Sequence, residues 1–140
     1  MIISRIKQGL LYIFGRYNKK NNDIVKTILS DEEFKIFNSM SRYEKIHSFR
    51  LYNFLLKNEI LKDDKIFLKL ALLHDCGKKN PSLIKRMKKV LLGDKELENH
   101  SEDGFNKLKD TNYKLAILCR EHHIKSKELK MQEFQKLDDK

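Results

Sequence analysis

Five histidines punctuate this chain, and four of them fall where a solvent-facing residue would not. His74 closes the stretch Phe67-x-x-Leu70-Ala71-x-x-His74, on the stripe that i+3 and i+4 spacing makes of the apolar residues before it. His47 shares a helical face with Tyr43, Leu51 and Phe54. His122 shares one with Leu115, Leu118 and Cys119, and His100 lies above Gly104 and Leu108. One imidazole on an apolar face is an ordinary core residue. Four on four separate helices would leave polar nitrogens in the interior without partners, at roughly 1–3 kcal/mol apiece. A shared metal ion removes that cost, so metal ligation is the chemistry this pattern predicts.

Two carboxylates belong with them. Asp75 follows His74 at the end of an apolar helix, where an unpaired charge is costly. Cys76-Gly77 beyond it reads as a turn, in which adjacent His and Asp side chains can converge on one ion. On the final helix Asp138 lies on the stripe of Met131 and Phe134, whereas Asp139 follows Gln132 and Gln135, so periodicity selects Asp138. The same test mildly favours His122 over His123, which lies with Ala116, Cys119 and Arg120. The candidate ligands are His47, His74, Asp75, His100, His122 and Asp138.

The elements that must carry these residues read as helices. With 5 Gly and 1 Pro in 140 residues, the chain favours long helices and short loops. Met1–Phe14 has Ile3, Ile6, Leu10 and Phe14 at helical spacing. Arg5 and Lys7 lie inside it, so it is neither a membrane span nor a signal peptide; it reads as a helix docked on the domain, with a membrane-surface helix as the lesser alternative. Arg16–Asn22 is a polar connector and Ile24–Leu29 a short apolar-periodic piece. Ser30 to Glu33 is a capping box. Ser41 caps a helix through Leu56, and Asp63 and Asp64 open one that ends at His74. A loop with Gly77 and Pro81 leads to a basic helix over about Ser82–Leu92, broken by Gly93-Asp94. Helices over His100–Lys109, over Tyr113–His123 and from Ser126 to the C-terminus complete the chain. The expectation is all-α: a single compact bundle of about six to eight helices, with N-terminal helices over 1–40 packed on a core of 41–140.

With the site residues in place, the chain resembles the HD-domain superfamily of metal-dependent phosphohydrolases. The matching segments are His47-Ser48-x-Arg50, Leu72-Leu73-His74-Asp75-Cys76-Gly77-Lys78, His100-Ser101-Glu102-Asp103-Gly104, Arg120-Glu121-His122-His123 and Leu137-Asp138. The order His, His-Asp, His, His, Asp is the pattern of members that hold two metals. The resemblance implies that His47, His74, Asp75 and Asp138 hold one ion, and that Asp75 bridges to a second held by His100 and His122. His123 is a further ligand if both of the adjacent pair are used, as in some members. Lys78 would contact the phosphate or the bridging hydroxide. Imidazole and carboxylate ligation without thiolate suits one or two ions of Fe, Mn, Co, Ni or Zn. Ile124-Lys125-Ser126 stands where the cyclic-dinucleotide phosphodiesterase branch has Gly-Tyr-Pro, which disfavours that branch. The Thr-Thr-Gly that often follows the fifth ligand in the dinucleoside-tetraphosphate branch is lacking too. Asp138 stands near a frayable end, so either the chain is a short form or the site is weakly held.

The implied activity is hydrolysis of a phosphate ester or anhydride, a nucleotide foremost, by a metal-activated hydroxide, with Asp75 and Lys78 at the chemistry. Arg50 and Arg120 lie within a turn of proposed ligands and could bind phosphate or pair with Asp and Glu. The formal net charge of +10 would attract a small anionic substrate, and Lys85-Arg86-x-Lys88-Lys89 could steer it, although a solvated face is the commoner meaning of such a run. The alternative is a metal- or nucleotide-binding regulatory domain of the same fold without turnover. A nucleic-acid-binding helical domain driven by charge alone is disfavoured, because no recognition helix with interleaved aromatics is present. Cys76 and Cys119 are too few and too far apart for a disulfide framework, and suit structural roles in a reduced, cytoplasmic chain without a transmembrane segment.

Overall fold

The capping signals of the sequence become helix ends in the computed structural model, which describes residues 17–78 and 100–140. The helices expected over Met1–Phe14 and Ser82–Leu92, with the break at Gly93-Asp94, lie outside the described residues. Helix α1 (Asn21–Ile28) passes into α2 (Asp31–Asn38) through Ser30. There the Glu33 amide donates to Ser30 Oγ at 3.2 Å, and the Ser30 amide donates to Glu33 Oε1 at 2.8 Å. Ser41 caps α3 (Arg42–Leu56), Asp64 caps α4 (Lys65–Leu73), and Asn112 caps α6 (Tyr113–Glu121), each accepting a hydrogen bond from a backbone amide of the first turn. Helix α5 (His100–Leu108) precedes α6, and α7 (Leu129–Asp138) follows it. The fold is all-α, with seven helices and no strand among the described residues.

Three boundaries differ from the sequence pattern: α1 starts at Asn21, inside the stretch read as a connector, and the other two flank one loop. Helix α6 stops at Glu121 with His122 as its C-cap, and α7 starts at Leu129, later than Ser126. Residues 122–128 form a loop whose carbonyls are taken by glutamines of α7. Gln135 Nε2 donates to the His122 and Ile124 oxygens at 3.1 and 2.7 Å, and Gln132 Nε2 to the Ser126 oxygen at 2.8 Å. Side-chain donors replace the amides a longer helix would have offered.

Helix α4 is apolar almost all round, with Phe67, Leu68, Leu70, Ala71, Leu72 and Leu73 buried, so it has to run through the interior. It packs against α1, α2, α3 and α6, while α5 lies along α6 and α7 against α3. Val25, Phe37, Leu55, Leu115 and Phe134 join it in one core. No helix of the described residues is long and apolar enough to cross a membrane. One polar hub is set into this core. Glu33, 2% exposed, accepts from Lys69 Nζ of α4 at 2.8 Å and from Asn112 Nδ2 at the head of α6 at 2.8 Å.

Candidate metal centre

The centre forms where α4 ends. His74 is the C-cap of α4, so its ring leaves the helix at the point where the chain turns through Asp75 and Cys76. His47 reaches it from α3 and Asp138 from the last residue of α7. His100 approaches from the first residue of α5, and His122 from the C-cap of α6. His47, His74, Asp75, His100 and His122 are all buried.

Asp75 divides the centre in two. Its Oδ2 lies 3.2 Å from His74 Nε2 and 3.6 Å from His47 Nε2. Its Oδ1 lies 3.1 Å from His100 Nε2 and 4.0 Å from His122 Nε2. Asp138 Oδ1 completes the first half, 3.2 Å from both His47 Nε2 and His74 Nε2. In the second half His100 Nε2 stands 3.4 Å from His122 Nε2 and 3.1 Å from His123 Nε2. The donor atoms of His47, His74 and Asp75 lie within 4.8 Å of one another, as do those of Asp75, His100, His122 and His123.

The tautomers follow from the helix ends. His74 Nδ1 is 3.0 Å from the Ala71 carbonyl, and His122 Nδ1 bonds the Cys119 carbonyl. A carbonyl only accepts, so each Nδ1 carries hydrogen, and in the neutral ring each Nε2 presents a lone pair. For His74 that nitrogen is buried, makes no hydrogen bond, and lies between two carboxylate oxygens. An orphan lone pair facing two anions needs a cation. Donors about 2.1 Å from one ion stand roughly 3.0–3.4 Å from each other at right-angled or tetrahedral geometry; most of these spacings match, while His47 at 3.6 Å and His122 at 4.0 Å from Asp75 stand wider. The residues present fit a divalent metal.

The electrostatics agree. Burial alone would lower the His74 pKa, but Asp75 and Asp138 outweigh it and hold the ring well above the usual imidazole range. A proton there takes the place of a cation. Burial would raise both aspartates, yet His74 and Lys78 hold Asp75 well down, and His74 and His47 do the same for Asp138. Burial pushes His122 well below the ordinary value, helped by His74 and His123. His123 is lowered by burial and by His100. Lys78 Nζ lies 3.1 Å from Asp75 Oδ2 and 4.0 Å from Glu44 Oε2; burial opposes its charge, but these carboxylates raise its pKa.

All six candidate ligands and Lys78 thus meet in one place. Asp138 closes α7, its side chain 13% exposed, on the helix that buries Met131, Phe134 and Leu137. His123 is exposed yet reaches the second half. Arg120 is committed elsewhere, forked onto Glu102 at 3.1 and 3.1 Å with its guanidinium over Phe105, and Arg50 lies over the Phe54 ring. The basic run from Lys85 lies outside the described residues. Glu44 escaped the sequence reading. It precedes His47 by three residues and so shares its helix face, a signal that could have found it.

A family model described as HD domain matches residues 45–138. No curated protein and no solved structure matches the chain.

Proposed function

The chain belongs to the HD-domain family, and from that premise we propose that it is a metal-dependent phosphohydrolase acting on a phosphate ester or anhydride, with a nucleotide as the favoured substrate. One observation carries the reading: Asp75 turns each of its oxygens to a different group of imidazoles, in the manner of a carboxylate that bridges two ions. His47, His74, Asp75 and Asp138 would hold the first divalent ion of the Fe, Mn, Co, Ni or Zn class. Asp75, His100 and His122 would hold the second, with His123 as an additional donor. We assign this unit to residues 41–140, with the helices of 1–40 packed on it, in a cytoplasmic chain.

When bound, such ions supply Lewis acidity, lowering the pKa of a water and neutralising phosphoryl charge. The chain's own groups do the rest. The Ala71 and Cys119 carbonyls hold two imidazoles in the tautomer that ligates. Lys78, kept protonated by Asp75 and Glu44, offers a fixed positive charge beside Asp75 for a phosphoryl oxygen. The net charge of +10 draws an anionic substrate inward.

The test is elemental analysis of purified protein, then a phosphate-release screen with Mn or Fe, using nucleotides first and simple phosphomonoesters and diesters beside them. Hydrolysis that disappears in His74→Ala and Asp75→Asn supports the proposal. Lys78→Met should retain metal and lose turnover. Metal and nucleotide binding without any phosphate release would make the chain a regulatory domain instead.

A further inference from the structure

The turn that carries Asp75 and the helix that carries His100 meet backbone to backbone. A Cβ on Gly77 would stand 2.1 Å from the His100 carbonyl oxygen and 2.4 Å from the Gly104 amide nitrogen. Neither backbone atom can yield without moving α5. A Cβ on Gly104 would stand 2.6 Å from Cys119 Sγ and 3.6 Å from Cys76 Sγ. Cys119 is fully buried and its thiol donates to the His74 carbonyl at 3.3 Å, so rotating it away breaks a contact to a ligand residue. Farther along α5, Lys107 Nζ donates to the Cys76 carbonyl at 2.8 Å. The turn is therefore seated on α5 at two points, Gly104 and Lys107, and the residues seated are the neighbours of Asp75. Glycine inside a helix is less favourable than alanine by about 1 kcal/mol. What Gly104 contributes is room.

We infer that Gly104 is a positioning residue for the second half of the centre. By leaving room for Cys119 Sγ, it lets α5 lie against α6 and sets His100 Nε2 at 3.4 Å from His122 Nε2. It reaches the first half less, because His47, His74 and Asp138 are carried by α3, the end of α4 and α7. This inference rests on the two-ion reading above, and it assigns the clash at position 104 to one removable atom, Cys119 Sγ. Cys119→Ala removes that atom and keeps the backbone carbonyl that orients His122.

The experiment titrates the metal-stripped full chain with Co(II), following ion number by calorimetry and by the visible absorption of the bound ion. Wild type takes two ions. Gly104→Ala binds the first as wild type does and the second about 10- to 100-fold more weakly, the loss typical of disturbing groups that orient a ligand. His100→Ala loses the same second event. The double variant Gly104→Ala/Cys119→Ala recovers it, and Cys119→Ala alone binds both ions. The inference is overturned if Gly104→Ala binds both ions normally, or if it loses both together. It is equally overturned if the double variant melts as wild type and holds the first ion but still lacks the second. A wild-type chain that takes fewer than two Co(II) ions sinks the two-ion reading itself, an outcome visible before any variant is made.

Discussion

Two carboxylates in this molecule are equally buried, Glu33 and Asp75, each 2% exposed, and they are handled in opposite ways. Around Glu33 every near neighbour is a donor: the Ser30 amide, the Lys69 ammonium and the Asn112 amide, each at 2.8 Å. The charge is answered within the protein, and three helices are tied together as a result. Around Asp75 stand four imidazoles, two of which spend their Nδ1 hydrogen on a backbone carbonyl. Lys78 answers part of the charge. A proton on His74 answers more of it, in the position a cation could take. A buried acid with a full set of protein donors marks architecture, while one ringed by imidazoles marks a candidate site.

That contrast can be broken by experiment. The largest effect belongs to Asp75→Asn, which should abolish uptake of both ions in elemental analysis and bring phosphate release down to the rate without protein, while the circular dichroism of the helices persists. Glu33→Ala should do the reverse. Removing one partner of a buried pair leaves Lys69 and Asn112 unanswered and should cost about 3 kcal/mol in urea unfolding, with ion number unchanged in the folded fraction. If Glu33→Ala lost metal as readily as stability, the two regions would not be distinct.

The pH dependences should separate them as well. A cation must displace the proton held on His74, whose pKa lies above the ordinary imidazole value of about 6.5. Apparent metal affinity should therefore climb with pH through and beyond that range, by up to tenfold per unit for one proton released. Glu33 behaves otherwise. Burial would raise its pKa, but Lys69, the Ser30 amide and Asn112 outweigh it and lower it. Its stabilisation is present above the ordinary glutamate pKa and is lost only as pH falls through the lowered one. Between neutrality and about pH 5, metal titrations should weaken while the Glu33 contribution to melting holds steady. The smallest effect is that of Ser30→Ala, which removes half of the capping box and should cost about 1 kcal/mol by thermal melting, with no change at the centre.

Much of the centre was legible because its residues obey local rules. His47 and Asp138 sit on helical stripes, and Asp75 follows His74 at a helix end, so period and adjacency sufficed. His122 and His123 were harder to separate for a definite reason. Helix α6 ends at Glu121, and beyond the last helical residue the 3.6 period no longer dictates where a side chain goes. The late start of α7 was hidden because the loop before it is held by Gln132 and Gln135, whose partners are carbonyls that no composition rule identifies. The Glu33 hub was half visible: its link to Ser30 spans three residues and reads as a capping box, whereas Lys69 and Asn112 lie 36 and 79 residues away. Arg120 found Glu102 across 18 residues by the same kind of tertiary pairing. The close approach of Gly77 and Gly104 is a property of packed backbones, which sequence spacing does not express.

The bonds from His74 to the Ala71 carbonyl and from His122 to the Cys119 carbonyl have one more consequence. Each closes a carbonyl that the end of its helix would otherwise leave open, so these two rings stop rotating when α4 and α6 finish winding. The loss of side-chain freedom that ligation usually entails has then already occurred in the folding step. A sample stripped by a chelator should keep its helices and take metal back at the rate of diffusion and ligand exchange, with no refolding phase.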